Sequence, residues 1–149
     1  MDADSLIHRY YIEEVEEDIL KNFEVRYKKM YCPPQLFFYN DTEVNVFVRT
    51  MDNFHSFGHL GQLLNVYGTV MPLSNYTLSY ALIKKIGFWD TCADAIGEDF
   101  HTCTKSVLKT DGEFITTQIY IPANQMNIQT GNGKLADFKA RFWQGVRHM

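Results

Sequence analysis

The chain has 149 residues, 46% of them hydrophobic and 15% aromatic, and it carries a formal net charge of −4. A length of about 150 residues is typical of one domain, and this much apolar material can form a core without a disulfide or metal staple. The composition excludes a disordered chain, and no apolar run reaches the roughly 18 residues of a membrane span, so we expect one soluble domain over residues 1–149.

Positive charge is scattered along the chain, because the 14 Lys and Arg residues occur singly or in pairs. Binding nucleic acid through phosphates needs a clustered basic surface, so this distribution argues against RNA binding. The cysteines Cys32, Cys92 and Cys103 form an odd set, and the polar start of the chain is unlike a secretory signal. We therefore expect reduced thiols in a cytoplasmic protein.

The first predicted element is a long helix over residues 4–28. Its apolar residues recur at spacings of three and four and would form one stripe: Ile12, Val15, Ile19 and Phe23. Many of the remaining positions are acidic, which is typical of a solvated helix face. Pro33 and Pro34 exclude a helix beyond Cys32.

Two short strands are predicted next, over residues 35–39 and 43–50. In the second strand Val44, Val46 and Val48 alternate with other residues. β-Branched residues with a period of two are typical of a strand, so this segment is expected to join a sheet.

The middle of the chain has a helical pattern, with three short helices predicted over residues 58–67, 74–86 and 89–96. Gly87 and Gly97 follow the second and third of these helices. Glycine directly after a helix is a common C-terminal signal, so we expect both helices to end there.

A β-hairpin is predicted after this segment, with strands over residues 102–109 and 113–121. The pair Asp111-Gly112 lies between the two runs. Asp-Gly between strand-like runs is a strong short-range signal for a hairpin turn.

A loop over residues 127–133 and an amphipathic helix over residues 134–146 complete the chain. The helix has one apolar side, made of Leu135, Phe138, Phe142 and Val146. The prediction is an α+β fold with a long N-terminal helix, a short antiparallel sheet with hairpins, a helical middle segment and a C-terminal helix.

Residues that bind metals or act as nucleophiles are present, but not in the spacing of a known motif. His55 and His59 are four apart like two ligands on a helix, yet no zincin glutamate lies between them. Cys92, His101 and Cys103 lack a Cys-x-x-Cys spacing and an evident fourth ligand. We therefore predict no metal site, no cofactor and no catalytic residue; a small enzyme with Cys92 or Cys103 as nucleophile stays open as an alternative.

Residues 72–81 resemble the Elongin BC-binding box of cullin ubiquitin-ligase adaptors. Leu73, Thr77 and Ala81 follow at four-residue steps and would share one helix face, where Leu73 fills a pocket and the small residues let a partner approach. A second register fits loosely and consists of Thr77, Leu78, Leu82 and Ile86. The pattern is permissive, so an amphipathic core helix is the alternative.

Phe114 directly follows Thr110-Asp111-Gly112-Glu113 at the tip of the predicted hairpin. Gly112 permits a tight reversal, and the charged Asp111 and Glu113 are expected to stay hydrated. We predict that Phe114 projects into solvent and anchors a partner protein, with packing of the ring onto the core as the alternative.

In overall sequence, and most of all in the 110–114 loop and the 72–81 box, the chain resembles the N-terminal non-structural proteins of dicistroviruses that suppress insect RNA silencing. The resemblance implies inhibition of the slicer activity of the host Argonaute, which would bind through five residues: Thr110, Asp111, Gly112, Glu113 and Phe114. It also implies recruitment of a ligase made of Elongin B, Elongin C and a cullin through four residues: Leu73, Thr77, Leu78 and Ala81. The ligase would then mark Argonaute for degradation in the host cell cytoplasm.

Related dicistroviruses use a double-stranded-RNA-binding domain at the same position of their polyprotein. The basic C-terminal helix of that domain has no counterpart here, because Lys139 and Arg141 are mixed with Asp137 in residues 134–146. Sequestration of duplex RNA is therefore the alternative function, and binding of host proteins is the expected one.

Overall fold

The computed structural model describes residues 5–65, 70–90 and 97–147. These residues form five α-helices and two small three-stranded sheets, so the predicted α+β class is confirmed. In chain order the elements are β1 Ser5–Ile7, α1 Arg9–Lys21, β2 Lys29–Cys32, β3 Gln35–Leu36, α2 Val46–Gln62, β4 Thr77–Leu78, α3 Tyr80–Ile86, α4 Glu98–Lys109, β5 Ile115–Gln118, β6 Ala123–Gln125 and α5 Lys134–Arg147. No helix of the described residues is long and apolar enough to cross a membrane.

Both sheets are mixed, so the predicted antiparallel sheet with hairpins is only partly correct. In one sheet the central strand is β6, which pairs antiparallel with β1 and parallel with β3. In the other sheet the central strand is β2, which pairs antiparallel with β4 and parallel with β5. The paired strands are far apart in the sequence, so no local turn signal specifies these pairings.

The N-terminal helix is shorter than predicted, because residues 5–7 form β1 and α1 ends at Lys21. Asn22 closes the helix: its side-chain amide donates to the backbone carbonyl of Asp18 at 3.3 Å and to the Asp18 carboxylate at 2.9 Å. Such local bonds from an Asn side chain compete with continuation of the helix. A polar helix end therefore replaces the long helix that the apolar spacing suggested.

The predicted apolar stripe of α1 is only partly correct. Val15 is buried and Ile19 packs against the core, whereas Ile12 and Phe23 are 50% and 54% exposed and Tyr11 is buried instead. The Tyr11 hydroxyl donates to the backbone carbonyl of Tyr31 at 3.3 Å, so this large ring is buried with its polar atom satisfied.

Residues 43–50 do not form the predicted strand, because α2 begins among them at Val46. Asn45 caps this helix, and its side-chain oxygen accepts from the backbone N–H groups of Phe47 at 3.0 Å and Val48 at 3.1 Å. The cap satisfies two donors that have no partner within the first turn. This local gain outweighs the strand preference of the alternating valines.

The helices of the middle segment are placed differently from the prediction. The helix predicted over residues 58–67 is the end of α2, which continues to Gln62. α3 is shorter than predicted and comprises Tyr80–Ile86, but its end at Gly87 is confirmed by a left-handed φ of 83°. The helix predicted over residues 89–96 falls mainly outside the described residues.

The predicted hairpin is wrong, because residues 102–109 belong to α4 and not to a strand. The buried side of α4 carries Thr102, Cys103 and Ser106, which are spaced as on one face of a helix. The Ser106 hydroxyl donates to the backbone carbonyl of Thr102 at 2.7 Å, so its polar group is satisfied within the helix. The burial of these three residues on one side of the helix explains why the segment is helical in place of the predicted strand.

The pair Asp111-Gly112 terminates α4 instead of turning a hairpin. Asp111 adopts a left-handed φ of 54°, and the Gly112 N–H donates to the carbonyl of Val107 at 2.9 Å. This is the bond of a Schellman ending, in which the chain leaves a helix abruptly. The predicted reversal is therefore present, but it connects a helix to β5.

β2 is buried along its whole length and separates two hydrophobic clusters. On one side Met30 and Cys32 pack with Val70, and we call this group the Met30 cluster. On the other side Tyr31 packs with three buried residues: Tyr11, Val15 and Ile119. Successive residues of a strand point to opposite sides, which explains the division.

The C-terminal helix is confirmed as α5, but its apolar side does not face the core. Leu135 and Phe142 are 67% and 48% exposed, whereas Asp137 and Arg141 are 6% and 4% exposed. Arg141 forms a buried ion pair with Asp52 of α2. A buried charge needs a partner, so this pair orients α5 with its polar side toward α2.

Candidate protein-binding site

The loop over residues 110–114 joins α4 to β5 in a defined conformation. Thr110 is buried, and its hydroxyl donates to the backbone carbonyl of Ser106 at 2.7 Å. Asp111 and Gly112 have left-handed φ angles of 54° and 82°, and the Glu113 N–H donates back to the Thr110 carbonyl at 3.0 Å. These bonds hold the loop against the end of α4.

The exposed part of this loop is acidic. Asp111, Gly112 and Glu113 are all exposed, whereas the residues on either side of them are at least partly buried. Lys28 donates to the Glu113 carboxylate, and this hydrogen bond lowers the pKa of Glu113. Lys28 lies 85 residues earlier in the sequence, so no local pattern predicts the contact.

Phe114 is partly buried, so the prediction that its ring projects into solvent is wrong. The ring packs against the Met30 cluster. β5 pairs in parallel with β2, and Thr116 lies opposite Met30. Because Phe114 is two residues before Thr116, its side chain points to the same side of the sheet as Met30.

The box over residues 72–81 does not form a helix. Leu73 lies in an irregular segment, Thr77 and Leu78 form β4, and Ala81 lies in the first turn of α3. The predicted helical face of Leu73, Thr77 and Ala81 is therefore wrong, because Thr77 pairs with Tyr31 in a sheet.

The second register of the box is equally unsuited to a partner in this conformation. Leu82 is 1% exposed and Ile86 is 5% exposed, so both belong to the core. Leu73 is 41% exposed and Ala81 is also exposed, and these two remain accessible among the predicted contacts.

Leu73 lies at a cleft of about 300 Å³ beside α2. The other residues that line the cleft are Phe54, His55, Gly58, His59 and Gln62. Burial, followed by the charge of His55, lowers the pKa of His59 to about 4, so this ring is neutral at pH 7. The cleft thus offers a partner a mixed apolar and polar surface next to Leu73, in which the His59 ring is neutral.

Two carboxylates at the start of α4, which no sequence motif indicated, bind the box segment. The Ser74 N–H donates to Asp99 at 2.9 Å, and the Tyr76 hydroxyl donates to Glu98 at 3.2 Å. Burial and the neighbouring Asp99 raise the pKa of Glu98 to about 7. The start of α4 therefore positions residues 74–76, which follow Leu73.

Metal ligands and thiols are the other groups for which the sequence suggested chemistry. Within residues 5–65, 70–90 and 97–147 no group of three or more His, Cys, Asp and Glu side chains is placed to hold a metal ion. Burial raises the pKa of the Cys103 thiol and raises that of Cys32 to about 12, so both are protonated at neutral pH. Cys92 lies outside the described residues.

The described residues thus contain two separate candidate surfaces, the exposed tip of the 110–114 loop and the cleft at Leu73. Neither brings together a nucleophile, a base and an oxyanion donor in the way that an enzyme site does. Searches with protein-family models, curated protein sequences and solved structures found no significant match to this chain.

Proposed function

We propose that the chain is a viral suppressor of insect RNA silencing that binds the host Argonaute and inhibits its slicer activity. In this proposal the tip of the 110–114 loop contacts Argonaute, and a second surface recruits a cullin ligase through Elongin B and Elongin C. The proposal starts from the sequence resemblance, and one observation supports it further: hydrogen bonds tie the loop to the end of α4 and leave its acidic tip exposed.

A fixed loop is suited to recognition because little conformational freedom is lost when it binds. Thr110 is anchored to Ser106, and Phe114 is anchored in the Met30 cluster. Asp111 and Glu113 between these anchors present carboxylates that accept charge-assisted hydrogen bonds from a partner. In the proposal Phe114 therefore supports the loop, and Asp111 makes the contact.

The ligase-binding part of the proposal rests on the resemblance and on the exposure of Leu73. A side chain that is 41% exposed beside a cleft is accessible to a partner without unfolding of the domain. Binding as a helix would require β4 to leave its pairing with β2, which costs the hydrogen bonds at Thr77. We therefore expect Leu73 to bind from its irregular segment.

The Argonaute contact is tested by measuring the affinity of purified variants for guide-loaded insect Argonaute. Asp111→Asn keeps the left-handed conformation, which asparagine tolerates, and removes the charge. Loss of a charge-assisted hydrogen bond of about 1.5–3 kcal/mol is expected to weaken binding by roughly tenfold or more. Glu16→Gln removes an exposed carboxylate on α1 and is the matched control, with affinity unchanged.

Two results would reject this assignment. Equal weakening by both substitutions would indicate general electrostatic attraction in place of a loop contact. Unchanged affinity of Asp111→Asn would exclude the loop tip. Leu73→Ala is measured separately for capture of the Elongin B–Elongin C complex, and unchanged capture with an intact fold would exclude Leu73 as the anchor.

A further inference from the structure

A large apolar surface covers the outer sides of α2 and α5. Nine large apolar side chains on these helices and on the turn after α2 are 40% to 83% exposed: Val46, Phe47, Phe54, Phe57, Leu64, Leu135, Phe142, Trp143 and Val146. We call this surface the α2–α5 face. It lies outside the 110–114 loop and includes none of the box residues, but it adjoins the cleft at Leu73, because Phe54 also lines that cleft.

Both helices are amphipathic in the reverse of the usual sense. α2 buries Asp52, Ser56 and His59 together with the apolar Val48, and α5 buries Asp137 and Arg141. Surface helices normally bury their apolar side and expose the polar one. The buried sides of both helices are therefore mainly polar, and most of their large apolar side chains are exposed.

The polar sides are bonded in a way that keeps the helices from rotating their apolar sides inward. Arg141 is paired with Asp52 between the two helices. Asn45 donates to the backbone carbonyl of Lys134 at 3.0 Å, which fixes the start of α5 against the start of α2. Rotating either helix would separate this pair and leave a buried charge without its partner, which opposes the rotation.

The apolar stripes of the two helices meet. The rings of Phe47 on α2 and Phe138 on α5 are edge to face, with centroids 5.8 Å apart. Further along α5, Phe142 and Trp143 are 5.7 Å apart in the same type of contact. The two stripes therefore meet at the N-terminal end of α2.

The area of this surface fits a protein interface. Nine such side chains, each exposing roughly 100 Å², present on the order of 900 Å² of apolar area. The largest apolar patch of a typical monomer is about 300–600 Å². A standard interface buries about 800 Å² on each partner, so the face is large enough for a specific complex.

The exposed charge on α2 and α5 themselves is positive. Lys134 and Lys139 are exposed and Arg49 is partly exposed, whereas Asp52 and Asp137 are buried. Among the described side chains of α2 and α5 no carboxylate is exposed, although the chain as a whole has a net charge of −4. Two copies joined through this face would bring like charges together, which disfavours self-association.

We propose that the α2–α5 face binds an amphipathic helix of a partner protein, with acidic residues flanking the apolar side of that helix. The apolar side of the partner helix lies on the exposed rings of α2 and α5, and its carboxylates lie opposite Lys134 and Lys139. Gly58 and Gly61 are exposed on α2, and an added Cβ at either would meet nothing within 4 Å, so a partner backbone can approach closely. This is recognition of a helix by an apolar surface with complementary charge.

The probe is a fluorescent peptide of about 18 residues, or five helical turns, that is built from Leu, Phe and Glu. A matched peptide has Lys in place of every Glu. Binding is followed by fluorescence anisotropy with the whole chain. We expect the acidic peptide to bind at least tenfold more tightly than the basic one. Phe57→Asp is expected to weaken binding of the acidic peptide at least tenfold. Lys139→Glu is expected to abolish the preference for the acidic peptide over the basic one.

Phe100→Asp is the matched control, because Phe100 on α4 is 55% exposed, similar to Phe57 at 63%, and lies outside the face. We expect it to bind the acidic peptide like the unchanged chain. Equal affinity for the two peptides, or equal loss in both Phe variants, would overturn the proposal.

Two further measurements identify a different occupant and would equally overturn it. A doubling of mass in sedimentation that Phe57→Asp abolishes would assign the face to a second copy of the chain. If the chain sediments with phosphatidylserine vesicles and binds neither peptide, the α2–α5 face would be assigned to a membrane surface.

Discussion

Replacing Phe114 with alanine is expected to destabilise the fold, because its ring packs against Met30, Cys32 and Val70. Truncation of a fully buried phenylalanine costs about 3–5 kcal/mol. The Phe114 ring is partly buried, so we expect roughly half of that cost, about 2 kcal/mol. For a chain of this length such a loss lowers Tm by roughly 4–8 °C.

The measurement is unfolding in urea and by heat, with Phe54→Ala as the matched control. Phe54 is 71% exposed on α2, so its truncation should change the free energy of unfolding by less than about 0.5 kcal/mol. Equal stability of the unchanged chain and Phe114→Ala would refute the packing described here. It would also restore the sequence-based expectation of a ring in solvent.

Three further outcomes are expected. Arg141→Met leaves the carboxylate of Asp52 buried without its partner, so urea unfolding should show a loss of about 3–5 kcal/mol, and unchanged stability would contradict the ion pair. The pKa of Glu98 is raised from 4.5 to about 7, so its contribution to stability is full below pH 4.5 and is lost as pH rises through 7. In a series of unfolding free energies measured against pH, Glu98→Gln should therefore remove this decline. Burial raises the pKa of Cys103, so peptide mapping should show slow alkylation in the folded chain at neutral pH; fast labelling would favour the enzyme alternative.

The parts of the fold that follow from short-range signals were predictable from the sequence. α5 is present where the apolar spacing predicts it, and Gly87 ends α3 with the expected left-handed φ. Asp111-Gly112 also reverses the chain, as its residue types require. Each of these depends on a few neighbouring residues, so no distant contact is needed to specify it.

The parts in which the apolar periodicity competes with caps or distant contacts were predicted wrongly. The strand assigned to residues 43–50 is displaced by the Asn45 cap, and residues 102–109 are helical, with Thr102, Cys103 and Ser106 buried on one side of α4. The central strand β2 obtains its partners from β4 and β5, which lie far along the chain. Periodicity alone has no information about these competing interactions.

The same limit applies to the candidate sites. The sequence indicated the 110–114 loop and Leu73, and both have exposed residues in the structure. The direction of Phe114 depends on the pairing of β5 with β2, and the anchoring of Glu113 depends on Lys28. The outward side of α5 depends on one ion pair, so an apolar stripe in sequence does not reveal whether it faces the core or a partner.

The proposal of Argonaute inhibition is tested most directly by single-turnover cleavage of a target RNA by purified, guide-loaded insect Argonaute. The chain is added either after loading or to the guide duplex before loading. We expect cleavage to be inhibited when the chain is added after loading, at concentrations close to that of Argonaute. No inhibition after loading, combined with inhibition when the chain meets the duplex first, would contradict Argonaute binding and assign the function to sequestration of duplex RNA.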